Sequence, residues 1–257
     1  MKSSSFMRFP HILMAAACAI AVSIQSVHAQ IPGKDASSLN ASMIRLFGGN
    51  TNFIAKTEAR VLNKSNVETT FLPMGFEMFA GSIRVEVNLT SIKSKELSPE
   101  IVSQMKQLGM DQLTTVQLAD KKVNLQIYPS LKSYVELPMV KEEIDALAAN
   151  YKVEKTSLGK ETIDGHSCDK CDVTLTDDKS VKQKAIVWYA KDMKDFPIQI
   201  QTTADDSTLV LRFKEVKLGR PEASHFTSPA GLKKYETMEA LMTDAAMKRI
   251  GNFVPTK

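Results

Sequence analysis

The side chains best equipped for chemistry lie in one short stretch, His166-Ser167-Cys168-Asp169-Lys170-Cys171. An imidazole and two thiols at this spacing suit a redox dithiol, a disulfide, part of a metal site, or two separate packed residues. A redox C-x-x-C depends on a low-pKa thiolate at a helix N-terminus, whereas this pair follows a hairpin turn. A tetrahedral metal site needs a fourth ligand, and no second Cys/His cluster stands nearby. Haem attachment needs a histidine directly after the second cysteine, where Asp172 stands. Positions three apart in a regular strand lie about 10 Å apart and aim at opposite faces, while a disulfide needs Cα atoms within roughly 7 Å. Cys168 and Cys171 therefore bridge only if a turn or bulge intervenes, and both the disulfide and the separate thiols stay open.

The remaining catalytic inventory is thin. His11 and His28 lie in an N-terminal leader, and His166 and His225 accompany no nucleophile motif such as G-x-S-x-G. The acid pairs Asp177-Asp178 and Asp205-Asp206 fall in turn sequence. No phosphate-cradling glycine loop is present. No catalytic residue, metal or cofactor is assigned, and the chain does not read as an enzyme.

The elements around these residues are mostly strands. Two strand-forming runs flank Asp164-Gly165, a pair suited to the positive φ angles of a tight hairpin. Ile83, Val85, Val87 and Leu89 alternate with polar residues, as do Val123, Leu125 and Ile127, so each strand turns an apolar row to one face. Further strands are expected at about 53–62, 134–137, 184–189, 196–202 and 209–218, with a bulge near Lys214-Glu215 where the alternation shifts phase. Ser98-Pro99-Glu100 caps and starts a helix with Ile101, Met105 and Leu108 on one side, closed by Gly109. Helices are also expected at Asp35–Phe47, where Leu39, Met43, Leu46 and Phe47 share a face and Gly48-Gly49 ends it, at about Val140–Asn150, and at Tyr235–Ile250. The thirteen methionines include Met74, Met78, Met105 and Met110 beside these elements, and methionine adapts to irregular apolar partners.

The first residues read as a cleaved signal peptide. Lys2 and Arg8 precede an apolar, alanine-rich run, and Val27-His28-Ala29 offers a peptidase site, so residues 1–29 are expected to leave and 30–257 to form one domain in the periplasm. The run, at about 16 residues, is short of the ~20 needed to span a bilayer. Without Lys2 and Arg8 the net charge falls from +4 to +2, with lysines scattered among acids. That is a solvated surface and excludes a nucleic-acid footprint.

Several motifs fall in an order that resembles the LolA/LolB/RseB-like superfamily of periplasmic proteins. Leu158, Gly159, Glu161, Ile163, Gly165, Cys168, Lys170 and Val173 fit its L-G-x-E-x-I-x-G-x-x-C-x-K-Y-x-V segment, with Cys171 in the aromatic position. Trp188, Ala190, Lys191 and Asp192, followed by Phe196-Pro197-Ile198, fit W-x-A-K-D…F-P-I. Phe226, Pro229, Gly231, Lys233 and Lys234 fit F-x-x-P-x-G-Y-K-K, with Leu232 for tyrosine. The resemblance implies an α+β fold, a curved antiparallel sheet of about 10–11 strands forming a half-open β-barrel with helices over its concave face. It implies a binding protein that holds a lipid, a lipoprotein acyl chain or another long apolar ligand between sheet and helices. The alternative is an interaction or envelope-sensor module with a protein partner. Peripheral membrane contact fits either. The residues expected to line the ligand space are Ile83, Val85, Val87, Met105, Leu108, Val123, Leu125, Ile127 and Trp188. Carriers of this superfamily close a lid with an arginine near the second strand. Met78–Gly81 holds none, and Arg84 reads as a solvent-face residue.

Overall fold

In β1 (Asn52–Asn63) Phe53, Ala55, Thr57 and Ala59 are buried while Lys56 between them is exposed. This alternation runs from strand to strand and gives the sheet one densely buried face, called here the inner face. The computed structural model describes residues 43–95, 97–204 and 207–251. The expected signal segment, the expected helix start at Asp35 and the Asp205-Asp206 pair lie outside the described residues.

The sheet has thirteen strands and stays open. After β1 come β2 (Glu68–Phe79), β3 (Ser82–Asn88), β4 (Lys93–Ser94), β5 (Gln112–Leu118), β6 (Val123–Tyr128) and β7 (Ser133–Pro138). Then follow β8 (Lys152–Ile163), β9 (His166–Thr176), β10 (Lys182–Ala190), β11 (Phe196–Ala204), β12 (Ser207–Leu218) and β13 (Lys233–Tyr235). The spatial order is β13-β7-β6-β5-β3-β2-β1-β12-β11-β10-β9-β8, with β4 on β2. All pairs are antiparallel except β13 with β7. This is a mostly antiparallel, half-open barrel with few helices. The strand number exceeds the expected 10–11 through β4 and β13, which have two and three residues and carry too little pattern to read.

Among the described residues the helices are α1 (Pro99–Gln107), α2 (Lys141–Ala148) and α3 (Met238–Gly251), and residues 43–46 form a further helical turn. Ser98 Oγ accepts from Ile101 N at 3.4 Å to cap α1, Pro99 opens it, and its Met105 is buried. Helix α3 packs on β7 and β13 with Leu241 buried. The Asp164-Gly165 turn has φ of 49° and 86°, as its sequence required. Glu215 takes φ of 49°, and the β1–β12 register jumps from Ile54↔Lys217 to Lys56↔Lys214, which is the expected bulge.

The centre of the inner face is aromatic. Phe47, Phe53, Phe76, Phe196 and Phe213 meet with ring centroids 4.8 to 6.2 Å apart. The opposite, outer face carries a second core of Val116, Leu118, Leu125, Tyr134 and Phe226. Phe226 reaches it from the loop after β12.

The register divides the expected ligand-lining set between the two faces. Met78, Phe76 and Met74 pair with Ile83, Val85 and Val87, so these three belong to the inner face, where Met105 and Leu108 of the α1 region join the same cluster. On β5, however, it is Arg84 that stands opposite Val116, and Val116 stands opposite Leu125. Directly paired residues share a face. Val123, Leu125 and Ile127 therefore lie on the outer face, in the second core. Trp188 pairs with Gln199, Gln199 with Arg212 and Arg212 with Glu58, an outer-face register, yet at the β10–β11 register shift its buried side chain joins the same cluster as the inner core and not the second one. The apolar rows of two strands share a face only if the register aligns them, and the intervening β5 sets these two out of phase.

Candidate functional site

The two thiols do not form a centre. Cys168 stands opposite Ala190 and Cys171 opposite Val187 in an uninterrupted β9–β10 register, so their side chains leave opposite faces and both are free. The register shifts nearby, at Ser157/Gly159 between β8 and β9 and at Trp188/Tyr189 between β10 and β11, leave the β9–β10 pairing of the two cysteines regular. Burial pushes both thiols above the ordinary cysteine pKa, the reverse of what a reactive thiolate needs. His166 Nδ1 lies 2.7 Å from Asp192, and His225 Nδ1 lies 2.9 Å from Glu77. Glu77 also receives Arg84 at 2.9 Å, and this arginine, its side chain 14% exposed, stands on the outer face opposite Val116. Among the described residues, no group of three or more His, Cys, Asp or Glu gathers as a metal site.

The feature with binding character is an apolar cleft at one end of the inner face. Its floor is Leu175 on β9, Ala185 on β10, Ile200 on β11 and Leu211 on β12, and Met43 and Leu46 roof it. The space is about 30 Å³, enough for about two water molecules. Depth follows the strands. Thr202 pairs with Leu209 at the rim, Ile200 with Leu211 one layer deeper, and the five phenylalanines lie beyond. Buried oxygens without a hydrogen-bond partner include Thr57 Oγ1, Gln117 Oε1, Tyr189 Oη and Thr202 Oγ1, and Thr202 lines the cleft.

The roof is tied to α2. Arg45 Nη2 donates to Leu147 O at 3.1 Å and to Ala149 O at 3.2 Å, carbonyls that the helix C-terminus leaves free, and its guanidinium lies 5.8 Å from the Tyr151 ring centroid. Helix α2 buries no side chain of its own. Glu143 anchors its other end through Asn124 Nδ2 at 3.2 Å and the Val140 N–H at 3.1 Å. A helix of eight residues with no buried face is marginal by itself. These few polar contacts hold it.

None of the nine residues expected to line a ligand space lines this cleft. The signals for it were present separately: the helical face of Met43 and Leu46, and the alternation of Leu209, Leu211 and Phe213. Their apposition depends on the long-range β1–β12 pairing, which no local pattern encodes.

Residues 73–198 match the model of a family described as Domain of unknown function (DUF4412). The matched region runs from β2 to β11 and includes Leu175 and Ala185 of the cleft floor, but not the roof or β12. No curated protein matches the chain. Solved structures similar to it include a LolA superfamily protein from Nitrosomonas europaea, at 13% identity and a TM-score of 0.36, covering 73% of this chain and 96% of that one. Lipoprotein LppX of Mycobacterium tuberculosis is 12% identical with a TM-score of 0.38, over 71% of this chain and 97% of its own. The MucA/MucB complex of Pseudomonas aeruginosa is matched at 7% identity and a TM-score of 0.34, over 76% of this chain and 62% of that one. No described helix is long and apolar enough to cross a membrane.

Proposed function

We propose that this protein binds an apolar chain, a lipid or the acyl group of an acylated protein, between the sheet and the segment that roofs its inner face, and performs no chemistry on it. The observation that carries this reading is the cleft itself: an apolar floor on β9–β12 under a roof, Met43 and Leu46, that Arg45 ties to an α2 with no buried side chain. Lifting that roof exposes inner-face apolar surface, and each methylene then buried is worth ~0.8 kcal/mol. Arg45 takes the latch role that Arg84 does not fill. The reading includes export with cleavage after Ala29 and function in the periplasm, with peripheral contact with a membrane during loading.

The test is titration with a fluorescent fatty-acyl probe, comparing the wild-type chain with Arg45→Leu. The closed latch opposes binding, so losing ~1.4 kcal/mol of it raises apparent affinity about tenfold. Absence of probe binding by both proteins, together with lipid-free organic extracts of protein from its native host, overturns the proposal.

A second reading, an interaction or sensor module for an envelope protein, is favoured by β8. This strand ends the sheet, has twelve residues, and is exposed at every one but Ile163. Such an edge presents backbone groups to an extended partner. It prevails if the chain binds no acyl probe and retains a protein partner that Thr156→Pro releases.

A further inference from the structure

We infer that the cleft takes an amphiphile by its polar end, a single-chain fatty acid or similar ligand whose head hydrogen-bonds Thr202 Oγ1 at the rim while its tail runs inward over Ile200 and Leu211. This rests on the reading of the cleft as an apolar-chain site, and it adds which end of the ligand is held, and by what.

Three observations support it. Thr202 lines the cleft, and its hydroxyl oxygen is buried without a hydrogen-bond partner. A buried hydroxyl left unpaired costs free energy, so each such group in a folded protein calls for an explanation. The polar character of the cleft is also ordered. Thr202 sits at the strand end, opposite Leu209, and the next inward pair on the same face is Ile200 with Leu211. Ile200 is buried to 1% exposure, and Phe213, two residues beyond Leu211 along β12, is fully buried. Gln183 and Lys184, at the start of β10, also line the cleft, so its polar residues gather toward the strand ends and the surface passes inward from polar to aliphatic to aromatic, the same polarity order as a fatty acid from head to tail. Finally, the roof over this path consists of Met43 and Leu46, two unbranched or γ-branched side chains on a short helical turn. Methionine repacks readily around an irregular chain. A neutral carboxylic acid, a carboxylate or an alcohol can each engage a threonine hydroxyl, which both donates and accepts. A hydrocarbon cannot.

The test uses the intact chain and two fluorescent probes, cis-parinaric acid, which has a carboxyl head, and diphenylhexatriene, which has none. Thr202→Val removes the hydroxyl and keeps a β-branched shape, and Thr202→Ser restores a hydroxyl. Wild-type protein is expected to bind both probes. Thr202→Val should bind parinaric acid several-fold more weakly, about the worth of one hydrogen bond, and diphenylhexatriene with less than a twofold change. Thr202→Ser should recover most of the parinaric acid affinity. Equal binding of parinaric acid by wild type and Thr202→Val, with both folded by circular dichroism, overturns the inference and leaves the apolar-chain reading standing. Equal weakening of both probes also overturns it, because the residue would then act through cleft shape. If wild-type protein binds neither probe, the apolar-chain reading and the inference fall together.

Discussion

Phe47 and Phe213 are nearly equal by burial, at 1% and 0% exposure, and each meets the other four rings of the aromatic cluster. Judged by lost contact alone, truncating either to alanine costs about 3–5 kcal/mol. Their attachments differ. Phe213 lies in β12, hydrogen-bonded to β1 on one side and β11 on the other. Phe47 ends a short helical turn, held by the turn bond from its N–H to Ile44 O, by its neighbours' side chains and by the Arg45 latch. If that turn is a separable cover, the loss at Phe47 is limited to the free energy of docking the cover, because the sheet stays folded when the cover lifts. Phe213→Ala should then lower global stability by about 3–5 kcal/mol, and Phe47→Ala by no more than about half of that. Urea denaturation followed by the fluorescence of the only tryptophan, Trp188 on β10, reads the sheet directly. Hydrogen exchange at residues 44–50 reads the cover, and Phe47→Ala should speed it and strengthen acyl-probe binding. Equal costs for the two substitutions, with no gain in probe binding, would show that Phe47 belongs to one indivisible core, and the cover would have to be abandoned.

Leu125→Asn should destabilise by roughly 1–3 kcal/mol or more through a buried, unpaired amide, yet leave acyl-probe affinity of the folded fraction unchanged, since Leu125 faces the second core; a selective loss of binding would contradict the face assignment. Cys168 and Cys171 should both alkylate in denaturant without reductant, giving two adducts by intact mass, and a single resistant pair would reveal a disulfide. On the outer face, burial alone would raise the pKa of Glu58, but hydrogen bonds from Lys214 at 2.6 Å and Arg60 at 3.0 Å outweigh it and hold the carboxyl below its usual range. A depressed folded pKa contributes stability above about pH 4.3, lost as pH falls through the folded value. Glu58→Gln should therefore flatten the acid limb of the stability profile, and an unchanged acid midpoint would count against that pairing.

Local features were legible in the sequence wherever a residue type dictates backbone geometry. Asp164-Gly165 specified its turn, Ser98-Pro99 its helix start, and the phase shift at Lys214-Glu215 its bulge. Helix α3 begins at Met238 and not Tyr235, because Lys233–Tyr235 pair in parallel with β7, a contact no local pattern announces. The candidate site was less legible. The apolar rows of β3 and β6 were each readable, but their relative face is set by the register through β5, and a shift of one residue there inverts the answer. Arg84 looked like a solvent residue by alternation, and the loop carrying His225 covers it. Arg45 carried no signal at all, since its partners are backbone carbonyls of a distant helix.

The place of β1 in the sheet has a kinetic consequence. It is the first strand in sequence, yet it sits between β2 and β12, so that Phe53 pairs with Leu218. The aromatic centre cannot close until nearly the whole chain is available, and the loop that must close first is among the longest the chain allows. Such high contact order slows folding. Until β12 arrives, β1 presents an unpaired edge, and Phe53 and Phe76 beside it lack the cover of Phe213. The chain thus remains in an unfinished, aggregation-exposed state through most of its emergence, and its yield is governed by what shields that edge in the interval.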